Sequence, residues 1–198
     1  MSVGVVAADA QTGAGVTPRV VVMAADPEGS RRRHAELGPL LGEERVDQLE
    51  ALLERRALAW AHGVGGEATV VASATDLAAV VGTVGPTVIV WPELPLWLPQ
   101  SGAAALEDLA SGCAVSIGPV FDGELYLLAL AEPIPELLAL ARRPWRRVQA
   151  MARVFGVVEQ RKLDVGLLRA ERGLRTPDDV RALLADPLTD GELLGLLG

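Results

Sequence analysis

Short apolar runs alternate with segments of helical periodicity from residue 19 to about residue 117. The runs RVVVMAAD, EATVVASA and PTVIVWP are short, rich in β-branched residues and bounded by turn-forming residues. Strands buried on both faces of a parallel sheet have this continuous apolar character. Because parallel neighbours need a helical crossover, the alternation predicts an α/β fold. Its sheet is mostly parallel, with helices on both faces and the three runs side by side.

The longest helical segment covers residues 43–62, EERVDQLEALLERRALAWAH. Its Leu49, Leu53 and Trp60 fall on one stripe, so we expect them in the core and not in contact with a ligand. Acidic residues in its first turn suit the helix dipole. The dipole also favours a capping role for His62, which lies in its last turn.

The second half of the chain adds a hairpin and further helices. SGAAALEDLASG predicts a helix with Ser101 as its cap and Gly112 at its end. The strand-like runs CAVSIGPV and ELYLLALAE are separated by FDG, which signals a tight turn and a reversal of strand direction. A late strand, KLDVGLLRAE, lies among four helical segments: PIPELLALA, PWRRVQAMARVFG, TPDDVRALLADP with Thr176 as N-cap, and TDGELLGLLG. Residues 18–198 are therefore predicted to form a single domain after a flexible N-terminal leader, residues 1–17.

Charge and cysteine content narrow the class of protein. With a net charge of −8 and 50% hydrophobic residues, the 198-residue chain is predicted to be globular and not to bind nucleic acid. No apolar run is long enough for a membrane span and no basic segment precedes one, so we expect no membrane association and a cytoplasmic location. The single cysteine, Cys113, excludes an intrachain disulfide and is expected to be a buried, inert thiol. The oligomeric state stays open.

Charged residues follow the predicted strands at the edge where open α/β sheets bind ligands. They are Arg31, Arg32, Arg33 and His34 after the first strand, Glu93 between two prolines after the third, and Asp122 in the hairpin turn. Taken singly, these segments have ordinary interpretations: a solvated charged loop, a proline-bounded turn and a structural turn aspartate. Taken together, an arginine-rich loop facing two carboxylates is what a metal–diphosphate site requires. No P-loop, GxGxxG, HExxH or GxSxG pattern indicates another chemistry.

Four stretches in a fixed order carry a resemblance to a known family: RRRHAELGPLLG, WPELP, GPVFDGELYLLAL and RGLRTPDDV. They are similar to P-G-x-x-K-T-R-L-x-P-x-L-G, G-[ST]-D-x-P, G-P-x-x-D-G-G-Y-Y and D-x-D-T-P-x-D-L. These are patterns of the small bacterial GT-A-type glycosyltransferases associated with arsenosugar biosynthesis and radical-SAM enzymes. The resemblance covers essentially residues 19–187. It implies a single-domain GT-A-like fold, also called nucleotide-diphospho-sugar transferase-like.

The resemblance also implies an activity and roles for the candidate residues. The activity is transfer of a sugar from a nucleotide-sugar donor to a small-molecule acceptor. Glu93 and Asp122 become catalytic candidates, and Glu93 is in addition the candidate ligand of Mg²⁺ or Mn²⁺. The candidates for binding the substrate, a nucleotide sugar or another phosphorylated small molecule, are Arg31, Arg32, Arg33, His34 and Arg175.

The chain departs from the family patterns mostly at charged positions. The family's lysine and arginine are His34 and Glu36 here, its strand-end aspartate is Glu93, its second hairpin glycine is Glu124, and its two late aspartates are Gly173 and Arg175. A guanidinium group opposes the binding of a divalent cation beside it. We therefore predict weak or absent metal binding, with Glu93 pairing instead with an arginine of the 31–33 loop or with Arg175.

Several functions stay open. The first is a glycosyltransferase similar to its relatives. The second is a catalytically degenerate GT-A-like binding module or partner subunit without metal-dependent turnover, which the lost charges favour. Nucleotidyl transfer to a phosphorylated small acid is a third, although it normally needs the same basic loop. We expect Arg31–Arg33 to be the main contact for an anion, because guanidinium groups suit bidentate phosphate binding.

Overall fold

The computed structural model describes residues 17–24, 34, 36–65, 68–71, 74–82, 85–141 and 150–198. All but the last residue of the predicted N-terminal leader, and the whole Arg31–Arg33 segment, lie outside these residues. The strands are β1 (Arg19–Met23), β2 (Ala68–Val71), β3 (Thr87–Val90), β4 (Val115–Pro119), β5 (Leu125–Leu130) and β6 (Val165–Leu167). The helices are α1 (Gly38–Leu41), α2 (Glu43–Gly65), α3 (Ala74–Val81), α4 (Pro99–Ala110), α5 (Pro135–Ala141), α6 (Ala150–Arg161), α7 (Pro177–Ala185) and α8 (Gly191–Leu197).

The strands within the described residues form one sheet in the order β2–β1–β3–β5–β4–β6. β1 is parallel to both β2 and β3, and β4 is parallel to β6. β5 runs antiparallel between β3 and β4, because the tight turn after β4 reverses the chain. The predicted mostly parallel sheet is confirmed, as are the three adjacent N-terminal strands and the later hairpin.

Helices cover both faces of this sheet. Successive side chains of a strand point to opposite faces, so Val20 and Val22 of β1 pack with Trp60 of α2 and with α4. Val21 lies on the other face, in a cluster with Leu77 of α3 and with residues of α5 and α6. The domain therefore has three layers, and the apolar runs of the strands are buried between helices on each side.

A third apolar cluster attaches the C-terminal segment to the rest of the domain. It contains Leu37, Leu41, Val46, Leu49, Leu52, Leu53, Leu174, Val180, Leu183, Leu193 and Leu197. Leu49 and Leu53 are fully buried and Trp60 nearly so, which confirms the predicted core stripe of α2. Because Leu174 belongs to this cluster, the chain just before α7 is packed against α1 and α2.

Two local predictions are wrong. The helix expected to start at Ser101 begins at Pro99, and its N-cap, Leu98, has no side-chain cap hydrogen bond. Proline suits the first position of a helix because its missing N–H has no partner there anyway. Cys113 is partly exposed because it precedes β4 and does not lie within it. None of the described helices is long and apolar enough to cross a membrane.

Candidate functional site

The loop after β3 fixes the backbone of Glu93. The Trp91 amide donates to the Tyr126 carbonyl at 3.1 Å, which extends the pairing with β5 past the end of β3. The Glu93 amide then turns back to the Trp91 carbonyl at 2.7 Å. Its own carbonyl accepts a bond from the Leu174 amide at 3.1 Å, and its side chain is only 3% exposed. The carboxylate at the strand end is therefore buried and held by a fixed backbone.

The β4–β5 turn presents two more carboxylates. Gly123 has a φ of +85°, a left-handed conformation that glycine adopts without strain. One oxygen of Asp122 accepts a hydrogen bond from the Glu124 amide at 3.0 Å, as aspartate commonly does in turns. The two side chains differ in access: Asp122 is 45% exposed and Glu124 is 6% exposed.

The guanidinium of Arg175 joins these three carboxylates. Its Nη2 donates to Glu93 Oε1 at 3.1 Å and to Glu124 Oε2 at 2.5 Å. Its Nη1 donates to Asp122 Oδ2 at 3.1 Å. The arginine side chain is 16% exposed. We call Glu93, Asp122, Glu124 and Arg175 the Arg175 cluster; in it, the predicted pairing of Glu93 with Arg175 is confirmed.

The backbone around Arg175 is rigidly held. Thr176 caps α7 in a capping box: its hydroxyl accepts from the Asp179 amide, and the Asp179 carboxylate accepts from the Thr176 amide. The same carboxylate accepts from the Arg175 amide at 3.2 Å. A Cβ on Gly173 would lie 3.0 Å from Val120 Cγ1, just after β4, a contact tight enough that the valine side chain would have to shift. The predicted N-cap Thr176 is confirmed, and it fixes the starting point of the arginine side chain.

Burial and neighbouring charge act in opposite directions in this cluster. Burial raises the pKa of Glu124 above its usual range, although the hydrogen bond and charge of Arg175 oppose the rise. Burial alone would lower the pKa of Arg175, but the carboxylates, Glu93 foremost, raise it, so the guanidinium stays charged. Glu124 therefore takes up a proton more readily than an ordinary surface carboxyl, and Arg175 keeps its positive charge.

The residues present do not fit the divalent cation that the family resemblance implies. Magnesium and manganese need several oxygen ligands close around the ion. Here the guanidinium occupies the space between the carboxylates, and two cations cannot share it without strong repulsion. Within the described ranges, no group of three or more His, Cys, Asp or Glu side chains is arranged to hold a metal ion. What the arrangement offers instead is one accessible, oriented carboxylate, that of Asp122.

His34 pairs with a carboxylate that does not belong to the Arg175 cluster. It is 2% exposed, and its Nδ1 is 2.7 Å from Oε1 of Glu50 on α2. Its Nε2 is buried and has no hydrogen-bond partner among the residues that the structure describes. The structure thus pairs this substrate-binding candidate with a helix carboxylate, while Arg31, Arg32 and Arg33 lie outside the described residues.

Sequence reasoning did not select Glu124 as a site residue. It noted only that a glutamate replaces the family's second hairpin glycine. The DGE turn was the available signal, because residues 122 and 124 flank a glycine and their side chains meet the same partner. A second missed residue is Arg56 of α2, whose guanidinium donates to the Pro95 carbonyl at 2.7 Å and to Asp190 at 2.8 Å. It clamps the loop that carries Glu93 to the cap of α8.

Comparison with solved structures identifies the fold. No protein-family model matches the chain, and no curated protein is significantly similar to it in sequence. A crystal structure from Desulfovibrio desulfuricans G20, of a protein provisionally named a nucleotide-diphospho-sugar transferase, superposes with a TM-score of 0.72. The alignment covers 91% of this chain and 94% of that one at 15% identity. The chain therefore has a nucleotide-diphospho-sugar transferase-like fold, as the sequence predicts.

Proposed function

We propose that this protein binds a nucleotide sugar, or another phosphorylated small molecule, and has lost metal-dependent glycosyl transfer. On this proposal, the protein is a GT-A-like binding module or partner subunit. The fold supports the first part, because it is shared with a protein named for handling nucleotide-diphospho-sugars. The second part is carried by one observation: the guanidinium of Arg175 is bonded to Glu93, Asp122 and Glu124.

The charge of the Arg175 cluster argues against turnover. Departure of a nucleoside diphosphate from a sugar develops negative charge, and an enzyme lowers that barrier with positive groups placed beforehand. At an effective dielectric of about 20, unit charges about 4 Å apart interact by about 4 kcal/mol. The carboxylates around Arg175 therefore outweigh the attraction that one guanidinium offers to an incoming anion. Even with Glu124 protonated, the cluster retains two carboxylates against one cation.

An anion must then be held by other residues. The sequence prediction assigns this role to Arg31–Arg33, which lie outside the described residues. Replacing all three with Gln should abolish the stabilisation that a nucleotide or nucleotide sugar gives in a thermal-shift assay. The matched control replaces the exposed Arg45, Arg153 and Arg181 with Gln, which removes the same charge. Equal loss in both variants would mean that only net charge matters and that the loop is no specific contact.

A second candidate function is sugar transfer without a metal ion. It is favoured by Asp122, whose carboxylate is 45% exposed while one oxygen is held by Arg175 and the other by the Glu124 amide. A carboxylate so oriented suits the task of positioning or deprotonating an acceptor hydroxyl. This activity would persist in EDTA and would be lost in Asp122→Asn.

One experiment separates these possibilities. Wild-type protein is screened by thermal shift against nucleotides and nucleotide sugars, with Mn²⁺ and with EDTA, and the same mixtures are assayed for sugar transfer and hydrolysis. We expect stabilisation that does not depend on Mn²⁺, and no turnover. Turnover in EDTA that Asp122→Asn abolishes would establish the second candidate. The control for that variant is Asp186→Asn, because Asp186 also accepts a turn amide, that of Leu188. Turnover that requires Mn²⁺ would contradict the proposal.

A further inference from the structure

We infer that Arg175 is a tethered cation that takes the place of a divalent metal ion, so that removing its side chain exposes a carboxylate site with affinity for divalent cations. The inference rests on the proposed function in one respect: the wild-type protein uses no metal ion at this position. It goes further by assigning the three carboxylates a ligand class, cations, and by assigning Arg175 the role of permanent occupant.

The carboxylates of the Arg175 cluster need a cation beside them. Glu93 follows β3, while Asp122 and Glu124 flank Gly123 in the β4–β5 turn, and both glutamates are almost fully buried. Buried acids brought together repel one another unless a counter-ion neutralises them or they take up protons. Three carboxylates placed around one small region therefore require a positive charge there, and the guanidinium of Arg175 supplies it through Nη2 to Glu93 and Glu124 and through Nη1 to Asp122.

Arg175 is a permanent occupant of this position. Leu174 is fully buried in the cluster with α1 and α2, and its amide bonds to the Glu93 carbonyl. The Arg175 amide bonds to Asp179 within the cap of α7. The backbone on both sides is thus anchored by contacts that do not involve the guanidinium. Shortening the side chain should empty the space between the carboxylates and leave the surrounding backbone in place.

The size of the space between the carboxylates favours a larger ion. Oxygens of Glu93 and Glu124 lie 3.1 and 2.5 Å from Nη2, and an oxygen of Asp122 lies 3.1 Å from Nη1. As the described residues stand, these carboxylates do not form a metal site, so an ion that replaced the guanidinium would require them to move inward. Calcium binds oxygen at about 2.3–2.6 Å with tolerant geometry, whereas magnesium needs about 2.0–2.1 Å and a near-ideal octahedron. A calcium ion requires less inward movement of the carboxylates than a magnesium ion does. The exposed face of Asp122 leaves room for water ligands.

A tethered cation and an ordinary structural ion pair differ in how the protein should respond when the arginine is removed. If Arg175 only fastened the C-terminal segment to the strand ends, its removal would weaken the protein and no added ion would restore it. If it occupies a cation position, an ion of suitable size should restore much of the lost stability, and the restoration should depend on the same carboxylates.

The experiment compares wild type, Arg175→Ala, Arg172→Ala and the double variant Arg175→Ala/Glu93→Gln. Arg172 is the matched control because it lies three residues away, pairs with Asp179 at 3.3 Å and is half exposed. Calcium and magnesium binding are measured by isothermal titration, and melting temperatures are recorded with each ion and with EDTA. We expect calcium to bind and stabilise Arg175→Ala, magnesium to do so less, and neither to affect wild type or Arg172→Ala. In the double variant, calcium affinity should fall by about tenfold or more because one charged ligand is lost.

Each result bears on the inference. Calcium binding by wild type comparable to that of Arg175→Ala, or no calcium response in Arg175→Ala, would overturn it. If Arg175→Ala does not fold, Arg175→Ala/Glu124→Gln removes one of the uncompensated charges, and the same titration on that variant decides the matter. Failure of the proposed function can be told apart from failure of this inference, because it would be seen as Mn²⁺-dependent turnover by the wild-type protein.

Discussion

Two arginines of this protein, Arg175 and Arg56, each gather acidic groups, and they do so in different surroundings. The partners of Arg175 include two nearly buried glutamates. The ionic partners of Arg56 lie in the open: Asp190 is 49% exposed and Glu192 is 57% exposed. The consequences for acidity are opposite. Burial raises the pKa of Glu124, whereas the hydrogen bond from Arg56 lowers the pKa of Asp190.

At Glu124 the effect of burial on the pKa outweighs the neighbouring arginine, whereas at the exposed Asp190 the arginine outweighs burial. Replacing a buried ion cluster with apolar residues is often neutral or stabilising, and perturbed pKa values concentrate at functional sites. The Arg175 cluster is therefore more readily explained by function than by stability. The Arg56 contacts act as a clamp, since they hold the carbonyl of Pro95 and the cap of α8 to one helix.

The largest expected effect comes from breaking the buried cluster. Arg175→Ala should lower the free energy of unfolding by about 3–5 kcal/mol at pH 7 without added metal, because it leaves buried carboxylates uncompensated. Urea denaturation provides the measurement. Arg172→Ala, which removes a half-exposed pair, should lose less than about 1 kcal/mol. A loss in Arg175→Ala no larger than in this control would show that the carboxylates are well solvated.

Arg56→Ala should have a smaller effect. The variant loses a charged hydrogen bond to the Pro95 carbonyl, a class of interaction worth about 1.5–3 kcal/mol. The exposed pairing with Asp190 should add less than about 1 kcal/mol. Urea denaturation at low and high salt separates the two parts, because salt screens only the exposed pair strongly. A loss that vanishes at high salt would mean that the carbonyl contact contributes nothing.

The sequence was sufficient for the features that depend on local patterns. Continuous apolar runs predicted the strands, and the stripe through Leu53 and Trp60 predicted the buried face of α2, because periodicity is a property of each segment alone. The sequence also predicted Arg175 as one possible partner of Glu93, because opposite charges at motif positions of one site attract. The choice between Arg175 and the 31–33 loop needed the structure.

Features that depend on distant contacts were beyond the sequence. The place of β5 between β3 and β4 is a tertiary choice that no local pattern contains. Glu124 was overlooked because its role depends on where the chain near α7 passes, 51 residues later. The cap of α4 was misjudged because two start signals, Pro99 and Ser101, lie in one turn, and the proline prevails.

The difference in stability between Glu124→Gln and wild type should vary with pH, by less than the losses given above. It tests whether burial sets the pKa in the Arg175 cluster, as opposed to the contacts of Arg56. A carboxyl whose folded pKa is raised above the usual 4.5 favours the folded state at low pH, and that contribution is lost as pH rises through the folded pKa. Glutamine cannot titrate, so the variant should gain stability relative to wild type between pH 4 and 7. Denaturation curves across this range measure it, with Glu159→Gln on the exposed face of α6 as control. If the variant instead lost stability relative to wild type as the pH rose, the charge of Arg175 would outweigh burial at Glu124.

The smallest expected effect is at Asp190, where the sign is reversed. Its folded pKa lies below the usual 3.8, chiefly because of the Arg56 hydrogen bond, so its contribution is present above pH 3.8 and lost as pH falls through the folded pKa. Asp190 also caps α8 by accepting from the Leu193 amide at 3.1 Å, a role that asparagine retains. Asp190→Asn should therefore lose less than about 1 kcal/mol at pH 7, because water screens a half-exposed charge, and the loss should shrink as the pH falls through the folded pKa. Asp190→Ala should lose about 0.5–2 kcal/mol more than Asp190→Asn at pH 7 and at pH 3, because it removes the cap as well. If the asparagine variant lost as much at pH 3 as at pH 7, the pairing with Arg56 would not be electrostatic, and the contrast with the Arg175 cluster would no longer rest on burial.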